Sequence, residues 1–429
     1  MKQSELAILG GSPVIDHELA NYSSMDASDI SVATRILESG NLSRFVGASG
    51  DFFLGGKTII DMESSWSSFF GTNYAISCNS WTSGLWLAIG SLGLEPGSEV
   101  IVSSWTMAAS ATTILHWNLI PVFADIDRDT FNIDPENVIQ KLSPRTRAIL
   151  APDIFGQSAD IERLREICRK HDLFLVSDSA QSPGAKRNGY SAGTKSDIGG
   201  FSLNYHKHIH SGEGGVIVTD SNELAKRVQL LRNHGEVVVG QEFAHNPLIG
   251  IMGMNMRMGE IEAAIAQNQL TKLESAVRSR QVAAAEFSSY ICDLEGLHTP
   301  FIAPGNTHVY YVYGMKVDTE KLKIDRRVLI QALQAEGVPA ILSGYQNIHK
   351  LPLFKMQLTY PGNQLPFSLL SRRRRKQLAN LSLPISEKLH NQDFIGINWC
   401  AKEFNTMDVS LIGEAFQKVW GSLNVLRKM

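Results

Sequence analysis

One lysine stands where an amine could do covalent chemistry. Residues 201–220 read FSLNYHKHIHSGEGGVIVTD, which sets Lys207 between two strand-like runs and just ahead of a Gly-rich turn. An ordinary lysine is solvated, and its ammonium is a poor nucleophile near neutral pH. Desolvation or a neighbouring cation frees the amine for Schiff-base formation. Upstream, LFLVSDSAQSPGA (173–185) carries an apolar run that ends on Asp178, at the kind of strand end where doubly wound sheets gather their ligands. An amine that forms an imine and a carboxylate that holds a protonated pyridine nitrogen are the two protein groups that pyridoxal 5'-phosphate (PLP) chemistry requires.

These residues need a sheet to hold them. From about residue 70 strand-like and helix-like segments alternate. YAISC (74–78), EVIVS (99–103), IPVFADI (120–126), RAILAPDIF (147–155) and LFLVSD (173–178) are each followed by a polar or amphipathic stretch. That pattern indicates βαβ units and a mostly parallel sheet. IGGFSL (198–203) and GGVIVTD (214–220) read as two later strands around the lysine loop. Beyond Asn255 the pattern changes: residues 258–292 carry apolar positions at helical spacing, as one long helix broken at most once. YYVYGMKV (310–317) reads as a strand of a smaller C-terminal unit, with amphipathic helices over 326–337 and 409–423. The expected division is an N-terminal arm and flap (1–60), a large cofactor-binding domain (61–275) and a small C-terminal domain (276–429).

A chain of 429 residues can bury a large core, and a net charge of −3 argues against nucleic acid or an acidic membrane surface as partner. Cys78, Cys168, Cys292 and Cys400 form no CxxC pair, so neither a zinc knuckle nor a disulfide scaffold is indicated. With no apolar run of spanning length, a cytoplasmic, reduced setting is the expectation. The basic run Arg372–Lys376 reads as a solvated helix start or loop, with a substrate phosphate or an acidic partner as the other reading.

The lysine segment SLNYHKHIHSGEGG resembles the motif of the DegT/DnrJ/EryC1/StrS aminotransferases, fold-type I PLP enzymes. Ser202, Lys207 and Gly212–Gly215 fill the places of a serine, five residues, a lysine and GEGG. LGGSPV (9–14), GLEPGSEVIVSSWTMAASATTIL (93–115), PVFADIDRDTFNIDPENV (121–138), FGQSADI (155–161) and GMNMRMGEIEAAI (253–265) extend the likeness over most of the chain. The resemblance implies a PLP site at a homodimer interface. It places Asp178 under the ring nitrogen, Gln181 against the ring or its 3′ oxygen, and Thr82 and the Ser83 amide on the phosphate. Ser202 adds a hydroxyl there, and Asn255 arrives from the partner subunit. It further implies amino transfer from L-glutamate or L-glutamine to a keto-sugar, usually nucleotide-linked, or a keto-cyclitol.

The chain departs from the family pattern in two places. Where the family stacks an aromatic residue on the cofactor ring, the segment reads SWTM, leaving Met107 or Trp105 as candidates, with Met107 preferred. Trp81 replaces a small residue of the phosphate loop. His206, His208 and His210 alternate, so on a strand they would share one face like metal ligands. The lysine motif occupies the same residues, and the expectation is no metal, with one or two histidines lining the substrate pocket. Alternatives on the same fold are a sugar dehydratase, against which Lys207 argues, an aminohydroxybenzoate-forming activity, and a non-catalytic partner protein. Acceptor contacts are expected from the N-terminal flap, from residues 235–250 and from the region of Tyr345–His349.

Overall fold

The alternating segments build a seven-stranded sheet in the order Tyr74–Cys78, Gly215–Thr219, Ile198–Ser202, Phe174–Asp178, Thr146–Pro152, Glu99–Ser103, Ile120–Ala124. The structure, a computed structural model, describes residues 5–235, 251–360 and 363–429. Gly215–Thr219 runs antiparallel to both neighbours, and the remaining pairings are parallel. Parallel strands are covered on both faces, so they read as continuous apolar runs rather than alternating ones. Every residue of Glu99–Ser103 and Ile120–Ala124 is buried accordingly.

Local chemistry starts the covering helices. Ser80 caps Trp81–Ser91, Asp160 caps Ile161–His171 and Ser221 caps Asn222–Arg232, each side chain accepting from a first-turn amide. The long helical run is two helices, Glu260–Leu270 and Leu273–Ile291, separated at Thr271 and Lys272. The basic run lies on the helix Arg372–Ala379, capped by Ser371. Arg372 and Arg373 are exposed, whereas Arg374 makes a two-pronged ion pair at 2.7 and 2.6 Å with Glu99, which is fully buried. One arginine of the run is therefore a structural counter-ion.

The C-terminal unit has a four-stranded antiparallel sheet in the order Leu297–His298, Val312–Val317, Phe394–Asn398, Ile341–Leu342. Phe287, Tyr313, Trp399 and Phe416 centre its core, together with residues of the helices Arg326–Ala335 and Thr406–Gly421. The N-terminal arm is shared: Leu6, Ile15 and Leu19 pack into this core, while Phe45 packs with Ile59, Met62 and Trp66 of the large unit. At one of the crossings between the two units the Val309 amide donates to the Gly156 carbonyl at 2.8 Å and the Val312 amide to that of Phe155 at 3.1 Å. A Cβ at position 156 would lie 2.7 Å from the Tyr310 amide nitrogen, so only glycine fits that crossing. Among the described residues no helix is long and apolar enough to cross a membrane.

Candidate active site

The C-terminal ends of Phe174–Asp178 and Thr146–Pro152 open into a cavity of about 190 Å³, which the lysine loop closes from one side. Thr82, Met107, Asp178, Gln181, Ser202 and Lys207 all line it. The fold thus gathers residues scattered over more than a hundred positions of sequence.

Asp178 is buried, and both of its oxygens are occupied. The Trp81 indole Nε1 donates to Oδ1 at 2.7 Å and the Ser110 hydroxyl to Oδ2 at 2.7 Å, with the Ala180 amide at 3.3 Å from Oδ1. Gln181 is also held: its Oε1 accepts from the Phe155 amide and its Nε2 donates to the Tyr345 hydroxyl, both at 2.8 Å. The Tyr345 ring in turn stacks on Phe155 with centroids 5.9 Å apart.

Lys207 is only 7% exposed. Its Nζ makes no hydrogen bond to the described residues and lies 4.3 Å from the centre of the Tyr311 ring. Burial pushes its pKa down to about 8, against the opposing pull of Asp178. A buried ammonium with one aromatic neighbour surrenders its proton far more readily than a solvated one. Next to it His206 lines the cavity, its pKa lowered to about 4 by burial and by Lys207, so its imidazole is neutral.

The expected phosphate end is the start of Trp81–Ser91, where a helix N-terminus favours an anion. Thr82 is exposed into the cavity, and Ser202 lies across from it. Ser83 is not among the cavity residues, and its amide is taken by the capping Ser80 hydroxyl at 3.1 Å. Of the two stacking candidates only Met107 reaches the cavity. Trp105 is fully buried edge-on against Phe131, Phe155 and Phe394, and its indole N–H donates to the Tyr345 carbonyl. Asn255 ends the strand Met252–Asn255, is exposed, and lies away from this chain's own cavity, where Oδ1 accepts from Arg257 Nε at 2.8 Å.

The three histidines do not share a face. Residues 205–209 form turns rather than a strand, so His206 faces the cavity while His208 is buried with a ring nitrogen 2.7 Å from the Val309 carbonyl. His210 turns elsewhere, its Nδ1 accepting from the Gly212 amide at 3.3 Å. Among the described residues no group of three His, Cys, Asp or Glu could hold a metal ion.

Sequence reasoning passed over Asp153, Ser110 and Tyr311. Asp153 lines the cavity and is fully buried, with Oδ2 accepting from the Ser179 hydroxyl at 2.5 Å and Oδ1 from the Ala159 amide at 2.7 Å. Burial raises its pKa to about 7 despite those donors. Its place at the end of an apolar strand is the same signal that singled out Asp178. Ser110 and Tyr311 carry no such mark. Of the expected acceptor contacts, Tyr345 reaches the cavity, and residues 236–250 lie outside the described residues.

The donor set fits PLP. One cavity holds a desolvated amine, a carboxylate oriented by two donors, and, around a helix start, two hydroxyls suited to a phosphate. Comparison with known proteins agrees with this reading. Over 98% of the chain and 97% of the relative, it is 30% identical to L-glutamine:2-deoxy-scyllo-inosose aminotransferase from Streptomyces kanamyceticus. It is also 30% identical to dTDP-3-amino-3,4,6-trideoxy-alpha-D-glucose transaminase from Streptomyces venezuelae, over 91% of this chain and 96% of that one. Among solved structures, DesV from S. venezuelae in complex with a ketimine intermediate superimposes with a TM-score of 0.75 at 27% identity, covering 91% of this chain and 93% of that one. Residues 41–397 match the sequence profile of a single family, and with that match the chain belongs to the DegT/DnrJ/EryC1/StrS aminotransferases.

Proposed function

We propose that this PLP-dependent aminotransferase moves an amino group from L-glutamate or L-glutamine to the keto group of a sugar, nucleotide-linked or free, or of a cyclitol. The observation that carries the reading is the meeting of Lys207 and Asp178 in one cavity, with an amine poised to deprotonate near neutral pH. The two relatives act, by their names, on a cyclitol and on a dTDP-linked sugar, which supports the acceptor class without choosing within it.

Bound PLP supplies an aldehyde carbon that takes and returns the amino group and a protonated ring that draws electrons from the donor's α-carbon. The chain's residues do the rest. Lys207 Nζ is the amine that would hold the cofactor's aldehyde carbon and, once free, would carry a proton from the donor's α-carbon to that carbon as general acid/base. Asp178 accepts the hydrogen bond of the ring nitrogen. Thr82, Ser202 and the N-terminus of Trp81–Ser91 hold the phosphate, and Ser83 serves through the cap that shapes that turn. Met107 would pack its thioether on the ring, and Gln181, fixed by Phe155 and Tyr345, would face the ring or its 3′ oxygen.

A second copy of the chain completes the site in this reading, with Asn255 reaching the partner's phosphate end. Its exposure supports this, as do Val46, Phe52, Met252 and Met254, large apolar side chains left in solvent along the flap and the strand that carries Asn255. A separate core around Phe287, Tyr313, Trp399 and Phe416 supports a small domain, although Ile348, Phe354, Phe367, Leu370 and Leu383 pack into the core of the large one. The division into arm, large domain and small domain near residues 60 and 275 belongs to the same reading. So does a reducing cytoplasmic setting, supported by four free cysteines.

The test is the visible absorbance of the PLP-loaded protein as L-glutamine and L-glutamate are added separately. One donor should bleach the band, and a keto-sugar or keto-cyclitol acceptor should restore it. PLP uptake with a band that no amino donor changes would sink the reading and favour other chemistry on this fold.

A further inference from the structure

Trp81 stands in the loop expected to hold the phosphate, yet its side chain turns to the other end of the cavity. The indole lies in a slot that glycine alone permits. A Cβ on Gly84 would fall 2.6 Å from the ring's Cε3, and one on Gly200 2.3 Å from Cζ3. From that slot the N–H meets Asp178 Oδ1, while Ser110, from the separate helix Ala109–His116, meets Oδ2. Both bonds are 2.7 Å, within the range of well-formed bonds to a carboxylate. The two donors sit on different helices, and Asp178 sits on a strand between them in the sheet's interior. A carboxylate gripped this way cannot turn about its Cβ–Cγ bond without breaking both contacts. Oδ1 also accepts from the Ala180 amide at 3.3 Å, while Oδ2 keeps a free lone pair for a further partner.

We propose that Trp81 and Ser110 form a clamp that fixes the Asp178 carboxylate in one orientation toward the cofactor's ring nitrogen, which makes both of them positioning residues for amino transfer. The clamp rests on the PLP reading above. It accounts for the large aromatic residue in a loop where small ones are usual: the indole is long enough to cross from the helix start to the strand end and carries a single donor at its tip. It also gives Gly84 a purpose, since that glycine clears the path of the ring; at Gly200 a Cβ would meet the Val216 carbonyl oxygen at 2.2 Å as well as the ring.

Trp81 could instead be filling space, with its hydrogen bond incidental, and a double-mutant cycle separates the two cases. Trp81→Phe keeps aromatic packing and removes the N–H; Ser110→Ala removes the hydroxyl and leaves the indole in place. PLP is titrated into the apo-protein, with thermal unfolding of the apo-forms as the control for folding. Each substitution should weaken PLP binding by about tenfold or more, the scale of one hydrogen bond to a charged group. In an Asp178→Ala background neither should change it by more than about twofold. Equal losses in both backgrounds would overturn the clamp in favour of packing, and unchanged affinity in the single variants would overturn it too. Should Trp81→Phe not fold, the Ser110→Ala cycle decides by the same criterion. A wild type that takes up no PLP would instead defeat the proposed function, so the two failures are distinguishable.

Discussion

The two ends of the cavity are built on opposite principles. At Asp178 the protein supplies a donor to each carboxylate oxygen from a different helix. At Lys207 it supplies an aromatic face, burial and no hydrogen-bond acceptor. One charge is held still, and the other has no hydrogen-bond acceptor among the described residues, only the Tyr311 ring face and the field of Asp178. The difference follows from what each group must do. A group that orients a ring gains from a fixed geometry, whereas a group that must bond, release and carry a proton loses reactivity if its ammonium form is stabilised. The pKa near 8 of Lys207 is the physical mark of that choice.

The comparison can be broken from either side. Asp178→Ala removes the held charge and strands two donors in a buried site, so amino transfer should fall on the order of a hundredfold. Measured as kcat with saturating PLP, a loss of less than about threefold would show that the oriented end is dispensable. A smaller effect sharpens the picture of Asp153, the buried carboxyl behind Asp178. Burial raises its folded-state pKa from 3.8 to about 7, so in that window the folded protein binds a proton that the unfolded chain has released. Its contribution to stability is therefore whole below about pH 4 and is lost as pH rises through about 7, at no more than about 1.4 kcal/mol per pH unit. Denaturant unfolding at several pH values should show Asp153→Asn gaining on wild type across that window. Parallel curves would mean that Asp153 is ionised throughout.

Much of this was legible in the sequence because it depends on local pattern. Apolar runs with β-branched residues marked the strands and a strand end marked Asp178, whereas Lys207 stood apart from an ordinary structural lysine only through the family motif around it. What was hidden depends on strand order. Tyr74–Cys78 and Phe174–Asp178 are separated in the sheet by two strands that arrive later in the chain, and only that insertion sets Trp81 across Gly200 from Asp178. Tyr311 belongs to the small unit and reaches Lys207 through the crossing at Gly156, which no spacing announces. The histidine alternation misled for a local reason: residues 205–209 are turns, so a period of two carries no shared face there. Trp105 failed as a stacking residue because it fills an aromatic cluster between the two units.

The central claim is that Lys207 is the reactive amine. Its most direct test is PLP attachment to the apo-protein over a pH series, fixed by borohydride reduction and mapped by peptide mass. The account predicts the cofactor on Lys207, with an attachment rate that rises as pH climbs through about 8 and then levels, since the neutral amine is the nucleophile. An adduct on another lysine, or none at any pH, would contradict it.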